Sequence, residues 1–221
     1  MLNKNSIELS DYQYNKKRMG LILAELNKIY PDAQTELRYQ NPFQLLVSVI
    51  LSAQCTDERV NKVTPALFDT FPDSETMAAA TPEIIYPYIR SISYPNSKAK
   101  NLAEMAKQLV QNHQGIIPNQ VSELIKLPGV GRKTAHVICS VLFGMPTLAV
   151  DTHVFRISHR LGFSVGKTPE AVEKDLMRFI NPEQVHQAHH LLILHGRRIC
   201  IARKPKCDDC AIALYCPKIF E

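Results

Sequence analysis

Three observations predict an all-α chain. Apolar residues recur at helical spacing, Pro, Gly, Asn and Ser interrupt them regularly, and almost nothing alternates with the period of a strand. The 221 residues allow one large or two small domains, and 45% apolar content is ample for a packed core. The longest apolar runs, such as 43–51, are broken by Gln44 and Ser48 and fall well short of the ~20 residues a membrane span needs. No membrane partner is expected.

The elements follow in order. Within 10–30, Leu21, Ile22, Leu26 and Ile29 mark a helical stripe. Pro42 followed by FQLLVSVILSAQ reads as a buried helix with proline in its first turn. Segments 57–71, 81–91, 97–113 and 122–127 are each flanked by breaking residues, and Pro169 opens another helix ending near Asn181. There is no low-complexity linker, so any domain boundary lies between packed helices.

Near the C-terminus, Cys200, Cys207, Cys210 and Cys216 have C-x6-C-x2-C-x5-C spacing. One loop can then wrap one metal centre, either tetrahedral zinc or an iron-sulfur cluster. An even set of cysteines can also pair as disulfides. Asn3, Lys4 and Glu8 break any apolar core of a secretion signal, however, and cytosolic chains rarely keep disulfides, so metal is favoured. The net charge of +5 is mild for this length, but from Arg197 to Lys206 there are five basic residues and no acidic one. Such a run can be a solvated face. Beside a metal loop, Arg203, Lys204 and Lys206 point to nucleic-acid phosphates.

A second stretch, Leu127-Pro128-Gly129-Val130-Gly131-Arg132-Lys133-Thr134-Ala135, joins a short helix ending at Leu127 to an apolar helix over 136–143. Pro128 ends the first helix, and Gly129 and Gly131 permit turn conformations closed to bulkier residues. The second helix then presents N–H groups at its positive end. A helix-hairpin-helix of this kind grips a phosphate backbone without reading bases, which makes Gly129, Val130, Gly131 and Arg132 candidate contacts. Further on, Val150-Asp151-Thr152-His153 precedes an amphipathic helix carrying Val154, Phe155, Ile157 and Leu161, which puts Asp151 at an N-cap. A turn at Gly144-Met145-Pro146 returns the chain, so that Lys133 and Asp151 are expected to face one cleft.

Together LPGVGRKTA, AVDTH, LILHGR and the four-cysteine loop resemble the endonuclease III family of DNA glycosylases, and the likeness runs from Asn41-Pro42-Phe43 and Leu51-Ser52-Ala53-Gln54 through Asn96-Ser97-Lys98-Ala99 to Cys216. The resemblance implies a 4Fe-4S cluster on the four cysteines rather than zinc. It also implies two helical domains with a DNA-binding cleft between them. One is a six-helix barrel over 35–145 that includes the hairpin at about 122–143. The other combines 1–34 with 146–221 and holds the cluster loop, 200–216. By the same resemblance the chain is a bifunctional DNA glycosylase and abasic-site lyase, a monomer of bacterial-type, nucleoid-associated cytoplasm, acting on duplex DNA with damaged pyrimidines or abasic sites.

The chemistry so implied suits the residues. The damaged nucleotide is extruded, because its C1′ is out of reach inside the stack. Lys133 attacks that carbon, and the Schiff base formed lets the 3′ phosphate leave by β-elimination. The attack requires a neutral amine, which a helix N-terminus beside Arg132 favours. Asp151 assists deprotonation and stabilises cationic character at the sugar. Gln54 matches the position that fills the gap left by the extruded nucleotide, although a polar residue at the end of a buried helix can simply cap it. His153 and Arg156 either contact phosphate, brace Asp151 or play ordinary structural parts. His189, His190 and His195 fit core or capping roles, and Cys55 and Cys139 read as small buried residues inside apolar helices.

Three positions depart from the family pattern: Ser93-Tyr94-Pro95-Asn96 stands for Gly-Leu-Tyr-Asn, His136 for asparagine, and Leu191 for tryptophan. Tyr94 occupies the place of the leucine that wedges against the orphaned base, which bears on opposite-base preference. Two other readings fit fewer features. An adenine-mismatch glycosylase of the same superfamily lacks the lysine nucleophile, and a non-catalytic DNA-binding or redox-sensing module would use only the hairpin and the cluster.

Overall fold

The computed structural model describes residues 4–220, with side chains from Asp11 onward, so the side chains of Asn3, Lys4 and Glu8 lie outside the described residues. Among the described residues every regular element is helical: α1 (Lys4–Ile29), α2 (Pro42–Ser52), α3 (Asp57–Thr70), α4 (Ser74–Ala78), α5 (Pro82–Ile89), α6 (Pro95–His113), α7 (Val121–Leu124), α8 (Arg132–Phe143), α9 (Thr152–Arg160), α10 (Pro169–Met177) and α11 (Val185–Arg198). None of these helices is long and apolar enough to cross a membrane. The chain separates into two compact units, one formed by residues up to Thr35 and from Pro146 on, the other by Glu36–Met145.

The Glu36–Met145 unit is built around α2. Asn41 accepts a hydrogen bond from the Gln44 amide at its N-terminus, Pro42 follows, and every residue from Phe43 to Leu51 is buried. A helix apolar all round has to be enclosed. Here α3, α6 and α8 pack against it, and Leu45, Leu46, Ile50, Leu67, Leu102 and Ile138 share its core. Each such side chain contributes about 1.5–3 kcal/mol through burial. Two helices, α4 and α11, are absent from the sequence-based prediction. The five residues of α4 are too few to show a repeating stripe, and they are started instead by a capping box between Asp73 and Thr76.

In the other unit, α1 buries Met19, Ile22, Leu23 and Leu26, while Leu21 and Ile29 of the predicted stripe are exposed. Leu21 lies one residue off the stripe and Ile29 is the helix's last residue. The buried stripe packs against α11, whose Leu191, Leu192 and Leu194 join the same core as Val154, Ile157 and Leu161.

Candidate nucleic-acid interface

The hairpin forms, with changed boundaries. Helix α7 stops at Leu124 instead of Leu127, and turn bonds from Leu127 N to Leu124 O and from Val130 N to Leu127 O, both 3.1 Å, carry the chain past Pro128. Only one of the two glycines has a forced conformation. Gly129 has φ +80°, and a Cβ there would come within 3.1 Å of the Asn101 Cβ and 3.3 Å of the Ile50 Cγ2. Gly131 is extended, and a Cβ on it would meet nothing within 4 Å. Its openness leaves the head of α8 uncovered, where a phosphate can approach the backbone. Val130 differs from the other turn residues: its side chain is buried and its N–H serves the turn, so it anchors the hairpin from inside.

Helix α8 begins at Arg132, four residues before the predicted start, because Ala135 N already bonds to Gly131 O at 3.0 Å. Lys133 therefore stands exposed in the first turn, on a helix whose opposite face buries Ala135, Ile138 and Cys139. Two bonds end the helix, Gly144 N to Ser140 O and Met145 N to Cys139 O, both 3.1 Å, with Gly144 left-handed.

In the same unit, three exposed non-glycine residues sit in left-handed backbone: Gln114 at the end of α6, and two that fall within Leu51-Ser52-Ala53-Gln54 and Ser93-Tyr94-Pro95-Asn96. Gln54 has φ 54° and lies two residues beyond the end of α2; Tyr94 has φ 56°, precedes α6 and is 65% exposed. Ser93 donates its hydroxyl to the Gln54 carbonyl at 2.7 Å. The buried Lys98 donates to the carbonyls of Leu51 at 2.8 Å and Ala53 at 2.7 Å. Burial lowers the pKa of this ammonium from its ordinary range. Cys55 lies in this turn and is half-buried, outside any helix, contrary to the sequence reading, while Cys139 is buried in α8 as expected.

In the unit containing residues 146–220, Asp151 caps α9, its Oδ1 accepting from the amides of His153 and Val154 at 2.9 Å each. One carboxylate oxygen is committed to the helix, which fixes the orientation of the group. His153 is half-buried and its pKa is lowered, chiefly by burial. Arg156 turns away from solvent and donates to the carbonyls of Gly196 at 2.9 Å and Cys200 at 3.0 Å, so it closes the C-terminus of α11. Gly196 of the LILHGR motif permits that closeness, for a Cβ there would come within 2.8 Å of the His153 Cβ.

None of the six cysteines is paired in a disulfide, which removes the disulfide reading. Cys200, Cys207, Cys210 and Cys216 line one cavity together with Ile157, Leu161 and Ile199. Among the described residues no three donors converge closely enough to hold a single ion. A 4Fe-4S cluster instead takes one thiolate at each iron corner, so its ligands can stand apart around a cavity. Four cysteines around one cavity fit that ligand set. Burial pushes the Cys210 and Cys216 thiols up, with their neighbouring cysteines adding to the effect, so any metal bound there would have to displace their protons. Cations surround the loop in ways the spacing could not reveal: Arg160 reaches Cys200 Sγ at 3.4 Å and the carbonyls of Ile201 and Ala202, and Arg18 donates to Leu161 and Tyr215. Arg203, Lys204 and Lys206 are all exposed.

These features have counterparts in known proteins. The HhH-GPD superfamily of base excision DNA repair proteins matches residues 47–182. Endonuclease III of Rickettsia felis is 52% identical over 198 residues, 86% of this chain and 93% of the relative. The chain belongs to the endonuclease III family. The Escherichia coli K12 member is 44% identical over 202 residues, covering 91% of this chain and 96% of that protein. A solved endonuclease III, trapped as a covalent intermediate with DNA in an estranged-adenine complex, superposes with a TM-score of 0.87 at 44% identity, over 92% of this chain and 96% of its own.

Proposed function

We propose that this endonuclease III family member excises oxidised or damaged pyrimidines from duplex DNA and then nicks the strand, using Lys133 as nucleophile. Membership of the family makes it a base excision repair enzyme, a DNA glycosylase with abasic-site lyase activity. The observation that carries the finer reading is Lys133 itself, an exposed amine in the first turn of α8 at the head of the hairpin. The first-turn amides of α8 attract the phosphate beside the lesion and bring the sugar to that amine.

The covalent sequence follows from the amine. Neutral Lys133 Nζ attacks C1′ of an extruded nucleotide, the glycosidic C–N bond breaks, and the base leaves with the electron pair and takes up a proton. Ring opening gives a Schiff base. Loss of a C2′ proton then expels the 3′ phosphate by β-elimination, and water releases the lysine. Asp151, held by two amides, supplies negative charge for the cationic sugar and accepts the proton of the attacking amine. Gln54 fills the gap left in the duplex, Tyr94 contacts the opposite strand, and Gly129, Gly131, Arg132, His153 and the run Arg203, Lys204 and Lys206 hold phosphates. Cys200, Cys207, Cys210 and Cys216 would hold the 4Fe-4S cluster, which supplies cross-linking to a loop with no regular hydrogen-bond ladder. The protein acts as a monomer in bacterial-type cytoplasm, where the chromosome lies.

Borohydride trapping tests the reading. Reduction during reaction with an abasic or oxidised-pyrimidine duplex should fix the protein on DNA, and Lys133→Gln should abolish the adduct and strand cleavage while DNA binding persists. An adduct that survives in Lys133→Gln would assign the nucleophile to another amine.

A further inference from the structure

We propose that Lys98 and Ser93 are positioning residues that lock the Gln54 and Tyr94 turns into one rigid two-pronged wedge. The inference rests on the reading above, in which those two side chains enter the duplex.

Gln54 and Tyr94 stand forty positions apart in sequence, on the tail of α2 and the head of α6. Both are non-glycine residues with φ near +55°, a conformation that costs free energy unless the surroundings impose it. The surroundings here are specific. Helix α2 ends with carbonyls that lack intrahelical partners, and the Lys98 ammonium takes two of them, Leu51 O and Ala53 O, immediately before Gln54. Lys98 lies in the first turn of α6, and its own amide bonds to Tyr94 O at 3.1 Å. Ser93 closes the other side by donating to Gln54 O. Three hydrogen bonds from 93–98 therefore hold the Gln54 turn, and a fourth ties Lys98 to Tyr94.

A buried lysine bonded only to carbonyls in these contacts gains no charge partner from them, and its desolvation is a standing cost. A helix C-terminus needs no lysine to end it. What the ammonium adds is a short, charge-assisted link between two strained turns, each carrying an exposed side chain. Pushing both side chains into a base stack requires that neither turn yield, and a loose turn would lose the unstacking energy to its own relaxation.

A double-mutant comparison tests this on the full-length, iron-loaded protein. Lys98→Met removes the ammonium and keeps most of the volume. It should reduce base excision (kcat/KM) roughly tenfold or more, flatten opposite-base discrimination, and weaken the fluorescence rise of 2-aminopurine placed opposite the lesion, with affinity for undamaged duplex unchanged. In a Gln54→Ala, Tyr94→Ala background the same Lys98→Met change should have almost no further effect, because there is no wedge left to position. Aminoethylation of Lys98→Cys should restore activity and fluorescence together. If Lys98→Met fails to fold, Ser93→Ala removes a single hydroxyl and should give the same pattern at smaller amplitude. An equal loss from Lys98→Met or Ser93→Ala in both backgrounds overturns the positioning role alone. Full fluorescence and discrimination in Gln54→Ala, Tyr94→Ala sinks the insertion reading, and this inference with it.

Discussion

Gly196 and His153 touch backbone to side chain: a Cβ added to Gly196 would stand 2.8 Å from the His153 Cβ and 3.1 Å from the Ile157 Cδ1. The nearer atom, His153 Cβ, is fixed to the backbone of a helix that Asp151 caps and Arg156 ties to α11, whereas Ile157 Cδ1 is a side-chain tip that can shift. Gly196→Ala should therefore force α9 and α11 apart at a cost of about 1–3 kcal/mol, despite its gain in helix propensity. Thermal unfolding would show it as a lowered midpoint, and an unchanged or raised midpoint would mean that the two helices accommodate a methyl.

Asp151→Asn separates capping from chemistry. Asparagine caps a helix about as well as aspartate, so stability should change by less than about 1 kcal/mol, whereas excision should slow by at least two orders of magnitude if the negative charge assists the amine and the sugar. Single-turnover kinetics beside a denaturant titration measures both. A stability loss matching the rate loss would reduce Asp151 to a cap.

The cysteine loop should carry about four irons per chain and colour the protein brown. Cys→Ser at any of 200, 207, 210 or 216 should lower iron content and leave the loop open to protease. Stoichiometric zinc in colourless protein would contradict the cluster assignment.

Arg203, Lys204 and Lys206 are exposed, and no aromatic residue lies between Arg197 and Lys206 to stack on bases. Each alanine substitution should flatten the slope of log affinity against log salt by roughly one unit and leave lesion preference intact. A slope that does not move would show that the run faces only solvent.

Acid should loosen the unit that holds α11. His190 is buried, its Nε2 has no hydrogen-bond partner, and burial, with His189 and His186 adding repulsion, pushes its pKa down to about 3. An unfolded chain takes up the proton at its ordinary pKa near 6.5, so stability is intact above that pH and falls as pH drops toward 3, by up to about 1.4 kcal/mol per unit. Urea unfolding at pH 7 and pH 5 reads this, and His190→Leu should shrink the difference. An unaltered difference would place the acid sensitivity elsewhere.

The sequence by itself determined the helical class, most helix positions, the hairpin, the Asp151 cap and the grouping of four cysteines in one loop. Each of these is local: periodicity, capping and ligand spacing act over a few residues, and one chain suffices to read them. Only the tertiary structure decided that Gly129 is the constrained glycine while Gly131 is open, that Val130 points inward, that Arg156 and Arg160 serve carbonyls of the cysteine loop, and that Lys98 holds the turn of Gln54. Those facts depend on which carbonyl or side chain arrives from forty residues away. A long, flexible arginine or lysine gives no sign in sequence of the partner it will reach, because its partner is a backbone group that every residue possesses.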